Sequence, residues 1–241
     1  MTSSGLVLDQ VSITLGERLL VPPLSLVIKP GEAATVMGPS GSGKSTLLAL
    51  LCGTVDPIFH PGGRAWLNGV ALFDLPPERR RVGILFQDDL LFPHMTVGEN
   101  LAFGLPRSIR GRAERGRRIE AALAEAGLPG SAGRQPGTLS GGQRARVALL
   151  RALLSEPRAL LLDEPFGRLD AGLRQRFRQF VFEHTRRRGL PTLLVTHEMA
   201  DADAAGGQVV TIGTVEEAAA SDPDQLSSLF VLKPDRPVGN S

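Results

Sequence analysis

"MGPSGSGKST", Met37 to Thr46, decides how the rest of this 241-residue chain is read. Gly38, Pro39, Ser40, Gly41, Ser42, Gly43, Lys44 and Ser45 fit the pattern of Gly, four residues, then Gly-Lys-Ser. The stretch follows an apolar run, Ala33–Met37, and opens a helical one, Lys44–Leu51. Glycines let successive backbone N–H groups turn inward around an anion. Lys44 adds a point charge for nucleotide β- and γ-phosphates, and the Ser45 hydroxyl is a magnesium ligand. Thr46 continues a helix whose N-terminal dipole favours the same anion. Strand, loop and helix together predict a cradle for nucleotide phosphates with Mg2+.

About a hundred residues later stands a second helix start of the same make-up, "TLSGGQRARVALLRAL", Thr138–Leu153. A serine suited to capping, two glycines and a glutamine open it. One short chain thus has two anion-binding helix starts, and that raises the question of what the second one holds.

Carboxylates follow. "ALLLDEP", Ala159–Pro165, is an apolar strand ending in Asp163 and Glu164. Asp163 can hold magnesium directly or through water. Glu164 beside it can orient and deprotonate an attacking water. "VTHE", Val195–Glu198, ends another buried strand, from where His197 can reach a γ-phosphate. Gln87 follows the strand-like Val82–Phe86, and its amide can bind magnesium or water.

Short apolar runs alternate with helical ones. Leu6–Val11, Leu24–Ile28, Ala33–Met37, Val82–Phe86, Ala159–Asp163, Thr192–Thr196 and Val209–Ile212 read as strands. Lys44–Leu51, Arg112–Ala126, Gln143–Leu154 and Leu173–Arg188 read as helices. Such alternation predicts an α/β fold with parallel strands at its centre. Strands vanish between about Gln87 and Glu156, so a helical insertion, about 88–156, is expected within one domain spanning 1–213. A short polar tail, 214–241, follows.

Hydrophobic content of 42% and charged content of 22% are ordinary for a folded globular chain. No apolar run reaches the roughly 18 residues that span a bilayer, and no secretory signal is visible at the N-terminus. The single cysteine, Cys52, lies in an apolar helical run and is expected as a small core residue. Arginine clusters at Arg79–Arg81, Arg110–Arg118 and Arg186–Arg188 sit among Glu and Ala, as solvated helix faces do. With a net charge of only +2, nucleic acid is not an expected partner.

In order, the phosphate loop, Gln87, "LSGGQ", "LLLDEP", "FGRLD" and His197 resemble the ATP-binding subunit of ATP-binding cassette (ABC) transporters, from about Leu6 to Ile212. The resemblance implies a phosphate-loop ATPase core with a mixed sheet, parallel at its centre and antiparallel in its N-terminal part, plus an α-helical insertion. It also implies an answer to the second cradle. Two copies would pack head to tail around two ATPs, so that Ser140, Gly141, Gly142 and Gln143 of one copy meet the ATP on the other copy's phosphate loop. Asp170 would link the two sites, and Gln87 would sense the γ-phosphate. "FQDDLLFPHMTVGENLAFGL", Phe86–Leu105, looks like the bacterial importer form, similar to thiamine-type importers and a related, poorly characterised group. The implied function is coupling ATP hydrolysis to uptake of a small solute. The implied partners are a second copy, two transmembrane permease subunits and an extracytoplasmic solute-binding protein. The implied place is the cytoplasmic face of the inner membrane, held peripherally. The alternative is a soluble cassette ATPase acting on nucleic acid or macromolecular complexes.

Three positions depart from the family pattern. Gly167–Arg168 replaces the usual small serine–alanine pair before Leu-Asp. The segment "GGQVVTIG" replaces a glycine-rich basic strand end. Leu15 stands where relatives place an aromatic ring that stacks on adenine; the chain has no tyrosine and no ring nearby in sequence, so Leu15 is expected to cover the base by apolar contact alone, the competing reading being a ring from elsewhere such as Trp66. "LLFPHMTV" places Leu90, Leu91, Phe92 and Met95 together, to pack within the insertion or to form a groove for a permease helix.

Overall fold

The computed structural model describes residues 4–213. The expected tail, 214–241, lies outside the described residues. In chain order the strands are β1 (Leu6–Leu15), β2 (Arg18–Ile28), β3 (Ala33–Met37), β4 (Phe59–Leu67), β5 (Val70–Ala71), β6 (Val82–Leu85), β7 (Ala159–Asp163), β8 (Thr192–Thr196) and β9 (Gln208–Thr211). The helices are α1 (Lys44–Cys52), α2 (Pro77–Arg80), α3 (Val97–Gly104), α4 (Arg112–Glu125), α5 (Gly141–Leu154), α6 (Ala171–Arg187) and α7 (Met199–Ala205).

Two sheets form. One is antiparallel, in the order β2-β1-β4-β5. The other is parallel throughout, in the order β6-β7-β8-β3-β9. The parallel strands are short and predominantly apolar because both of their faces are covered. Their alternation shows this directly. Leu160 and Leu162 of β7 join a core with Leu149, Leu150 and Phe177, whereas Leu161 between them joins Leu47, Leu51 and Leu193 on the other side. Side chains two apart share a face and neighbours do not.

Strands buried on both faces stand out in the sequence, and half-exposed ones stand out only in part or not at all. β4 has the sequence FHPGGRAWL and was not expected to be a strand. Pro61 pairs with Ile13. The outer side of β4 meets β5 only at Trp66 and Leu67, so a proline without an N–H is tolerated there. Gly63, at φ 72°, sits where the β1–β4 register shifts between Asp9 and Ser12, a bulge that only glycine enters cheaply. β1 runs on to Leu15 and β2 starts at Arg18, longer than their apolar cores suggested, because outward positions carry polar residues. Three short helices also went unread. One of them, α3, announced itself by a reciprocal cap between Thr96 and Glu99. α5 begins at Gly141, two residues earlier than expected. Between β6 and β7 the described elements are α3, α4, a 3-10 turn at Pro136–Thr138 and α5.

α1 must be anchored because its first turn is the phosphate loop's exit. Its C-terminus closes on Gly53 in the left-handed conformation, at φ 83°. The buried Arg80 guanidinium then donates to the carbonyls of Leu50 (2.6 Å), Leu51 (3.1 Å) and Leu75 (2.9 Å). These are charge-assisted bonds, two of them to carbonyls in the last turn of α1, one of which also accepts from the Gly53 N–H. Replacing Arg80→Met keeps the apolar stem and removes the donors. The expected loss is about 1.5–3 kcal/mol, read as a lower urea midpoint with an unchanged m-value; an unchanged midpoint would contradict this role.

Candidate active site

Parallel packing brings four chain segments to one edge of the sheet. The phosphate loop leaves β3 at Met37, Gln87 lies just past β6, Asp163 ends β7 with Glu164 next, and His197 follows β8. Register aligns these exits: Leu85 pairs with Leu162, Asp163 with Val195, and Met37 with Thr196. A cleft of about 560 Å³ opens there, lined by Leu20, Ser40, Gly41, Gly43, Lys44, Ser45, Thr46, Gln87, Asp163, Glu164 and His197. The carboxyl ends of parallel strands are where α/β folds bind ligands.

The loop is built around absent side chains. Gly41 and Gly43 hold φ of 82° and 85°. A Cβ on Gly43 would come within 2.6 Å of Val21, and one on Gly38 within 2.4 Å of the Ile212 carbonyl. Lys44 is buried, and its Nζ donates to the carbonyls of Gly38 and Pro39, both at 2.8 Å. Glu164 Oε1 stands 3.9 Å from the same nitrogen. Burial pulls the Lys44 pKa down, and the carboxylates of Glu164 and Asp163 oppose that shift. Ser42 Oγ, close beside Gly38, is buried with no hydrogen-bond partner.

Opposite the loop, Ser45 Oγ donates to Asp163 Oδ1 at 3.1 Å. Burial raises the Asp163 pKa; the Ser45 hydrogen bond lowers it, the Glu164 charge raises it and Lys44 lowers it. Glu164 takes a left-handed backbone, φ 44°, with its N–H held by the Val195 carbonyl at 3.0 Å. Such conformations cost energy in a non-glycine residue and concentrate at functional sites. Its Oε2 lies 3.1 Å from His197 Nδ1. The turn that presents His197 is itself fixed. Thr196 Oγ1 donates to the buried Asp201 (2.8 Å) and accepts from the Glu198 N–H (3.0 Å), and Arg178 pairs with Asp201.

The second cradle is elsewhere. Ser140 caps α5: its Oγ accepts from the Gln143 N–H at 3.3 Å, and Gln143 Oε1 accepts from the Ser140 N–H at 3.0 Å. Ser140 and Gly141 are exposed and Gly142 is buried, and none of the three lines the nucleotide cleft. Asp170 caps α6, accepting from the Leu173 N–H at 3.0 Å. Leu15 also lies outside the cleft lining, 40% exposed at the end of β1. Register speaks against the competing reading that Trp66 supplies the missing ring. Trp66 pairs with Val7, eight residues along β1 from Leu15, roughly 26 Å at the usual strand rise. The ring opposite Leu15 is Phe59, which no local sequence signal connects to it. Leu20 was missed for the same reason: it reads as one more apolar position of β2, yet it lines the cleft. Of the apolar run after Gln87, Leu91 is buried in the core, while Leu90 is exposed and Phe92 stacks edge-on at 5.0 Å against the exposed Phe103.

Parallel sheet, glycine loop, buried lysine and paired carboxylates define a phosphate-loop nucleotide-binding protein. The profile described as "ABC transporter" matches residues 21–167. The chain belongs to the ABC transporter family and carries its ATP-binding, ATP-hydrolysing domain. It is 47% identical over 199 residues, 83% of its length and 91% of the relative's, to the "Uncharacterized ABC transporter ATP-binding protein YnjD" of Escherichia coli K12. It is 40% identical over 223 residues to the "Fe(3+) ions import ATP-binding protein FbpC" of Agrobacterium fabrum, covering 92% of this chain but only 62% of that relative. Among solved structures it is similar to a dimeric, post-hydrolysis ATP-binding cassette, MJ0796, bound to ADP and Pi. That match has a TM-score of 0.73 and 30% identity, and covers 87% of this chain and 96% of the other.

Burial of Asp163 makes a stability prediction. A raised carboxylate pKa means that the fold favours the protonated form, so stability is lost as pH rises through the folded-state pKa. Asp163→Asn mimics the neutral form and keeps an oxygen for Ser45. The variant is expected to melt higher than the parent at pH 7, with the gap closing as the pH falls into the acid range. A lower melting temperature at pH 7 would contradict the assignment.

Proposed function

We propose that this chain is the ATP-hydrolysing subunit of a bacterial importer, working as a homodimer beneath two transmembrane permease subunits. A small solute would reach the permease from an extracytoplasmic binding protein. One observation carries the dimer: the cleft at the sheet edge gathers one cradle with its carboxylates, whereas the α5 start, with Ser140 exposed, stands outside it. A second copy is the simplest occupant for that start, and the related MJ0796 cassette is dimeric with ADP and Pi. The alternative of a soluble machine acting on nucleic acid has no such support, and FbpC, a relative, is an import protein.

The roles follow from position. Backbone N–H groups from Gly38 to Thr46 and the Lys44 ammonium would take the nucleotide phosphates, with Lys44 exchanging the carbonyls of Gly38 and Pro39 for phosphate oxygens. Ser45, Asp163 and the Gln87 amide offer the oxygens that Mg2+ prefers, with one carboxylate and room for substrate phosphates, so the donor set fits that ion. Bound there, Mg2+ would neutralise charge on the β- and γ-phosphate oxygens. Glu164 would accept a proton from the attacking water, and His197, whose Nδ1 lies 3.1 Å from Glu164 Oε2, would keep that carboxylate turned toward the cleft. Ser140, Gly141, Gly142 and Gln143 would close on the partner's γ-phosphate, and Asp170 would carry the link between sites. Residues 88–156 would form the helical insertion of a domain spanning 1–213. Leu90, Phe92 and Phe103 would meet the permease. No described helix is long and apolar enough to cross a membrane, and the subunit would sit on the cytoplasmic face, held by the permease.

Glu164→Gln keeps the shape and removes the base. Steady-state hydrolysis should fall about 10²- to 10⁴-fold while ATP binding survives and ATP-bound dimers accumulate on size exclusion. Near-normal turnover would refute the role of Glu164.

The base-binding end gives a second test. With Leu15 in place of a ring, the phosphates would supply most of the affinity. Leu15→Tyr should tighten ATP binding about 2- to 13-fold, the worth of about 0.5–1.5 kcal/mol of stacking. Phe59→Ala should weaken binding and Trp66→Ala leave it unchanged, measured by calorimetry. A loss confined to Trp66→Ala would contradict the β1–β4 register as the source of the ring.

A further inference from the structure

Two aspartates follow Gln87 and go opposite ways. Asp89 accepts from Arg144 Nε of α5 at 2.8 Å, and Arg144 also holds the Leu139 carbonyl at 3.0 Å. Arg151, about two helix turns further along α5, donates to the carbonyls of Leu90 (2.9 Å) and Asp89 (3.3 Å). This fixes the far end of the loop and holds Leu90 in its left-handed conformation, φ 44°. Asp88 turns the other way and forms an ion pair with Arg168. Arg168 lies four residues past Glu164, in the turn before α6. The same turn approaches Gln87 at Gly167, where a Cβ would stand 3.7 Å from the Gln87 side-chain nitrogen, ordinary contact distance. A small residue at position 168 has no atoms that can span to Asp88; a guanidinium does, with several donors in a rigid fork.

We propose that Arg168 is a positioning residue: its ion pair with Asp88 ties the loop that carries Gln87 to the turn that follows Glu164, so the Gln87 amide faces the nucleotide cleft before nucleotide arrives. Three tethers to α5 act beyond Asp88, so this pair alone holds the end next to Gln87 among the described contacts. Both partners are at least half exposed, and pairs of that kind couple their ends by about fivefold at most. The latch is therefore weak enough to open when a second copy or a permease competes for Arg168. Its effect on hydrolysis rests on the proposed role of Gln87; its existence does not.

Hydrogen–deuterium exchange of the nucleotide-free chain, with ATP hydrolysis measured in parallel, tests both levels. Arg168→Ala and Asp88→Ala should each speed exchange in the peptide covering 86–90 and lower turnover about two- to fivefold. The double variant should be no worse than either single one. The exchanged pair, Asp88→Arg with Arg168→Asp, should restore slow exchange and turnover, while melting temperatures stay near the parent's. Gln87→Ala should lower turnover without altering exchange around Arg168. If single variants leave exchange unchanged, or the swap fails to restore it, the latch is overturned whatever Gln87 does. If exchange behaves as expected but Gln87→Ala leaves turnover intact, the Gln87 reading falls and the latch loses its positioning role.

Discussion

A buried ammonium group sets the terms for the whole active edge. Lys44 sits almost out of water, against its own loop's carbonyls and within 3.9 Å of Glu164. Removing a charge from water is costly unless it is hydrogen-bonded or paired. Here the cost is offset by two carbonyls and two carboxylates that come from β3 and β7, strands separated in the sheet by β8. The arrangement holds only because the parallel register aligns the strand ends. The carbonyls of Gly38 and Pro39 hold the ammonium, and Ser42 Oγ, beside Gly38, is buried with no hydrogen-bond partner; in the proposed function a phosphate oxygen would displace those carbonyls. The left-handed backbone of Glu164 and the burial of Asp163 are likewise unfavourable on their own, and in the proposed function a bound nucleotide with Mg2+ would offset them.

What the sequence disclosed follows from how far each signal reaches. The phosphate loop, "LLLDEP" and "VTHE" are local, and each sits at the end of a strand so apolar that its burial on both faces could be read directly. The cleft therefore assembles Lys44, Ser45, Asp163, Glu164, Gln87 and His197 as their spacing suggested. β4 was illegible because proline and two glycines hide a strand whose outer edge is nearly free. Phe59 opposite Leu15, and Asp88 opposite Arg168, join residues 44 and 80 positions apart. Register and topology decide such meetings, and neither is written in a short window. Arg168 could be noticed as an unusual residue; its partner could not.

The two helix starts are alike chemically and differ in their surroundings. α1 begins inside a cleft with carboxylates facing it, whereas α5 begins with its capping serine exposed, its N-terminal groups served only by Ser140 and Gln143. A site split across two copies ties hydrolysis to their approach, which is the property a transport cycle needs. Cargo is not expressed in any of these residues, consistent with relatives that share the cassette while FbpC handles iron.

Disulfide trapping tests the split site most directly. Ser40 is exposed on the phosphate loop, and Gly141 is exposed at the start of α5; the native Cys52 is only partly exposed, and burial pushes its thiol pKa up to about 11, which keeps it unreactive at neutral pH. In the chain carrying Ser40→Cys, Gly141→Cys and Glu164→Gln, the account predicts covalent dimers that form with ATP and not without it. ATP-dependent links found only within single chains would contradict it.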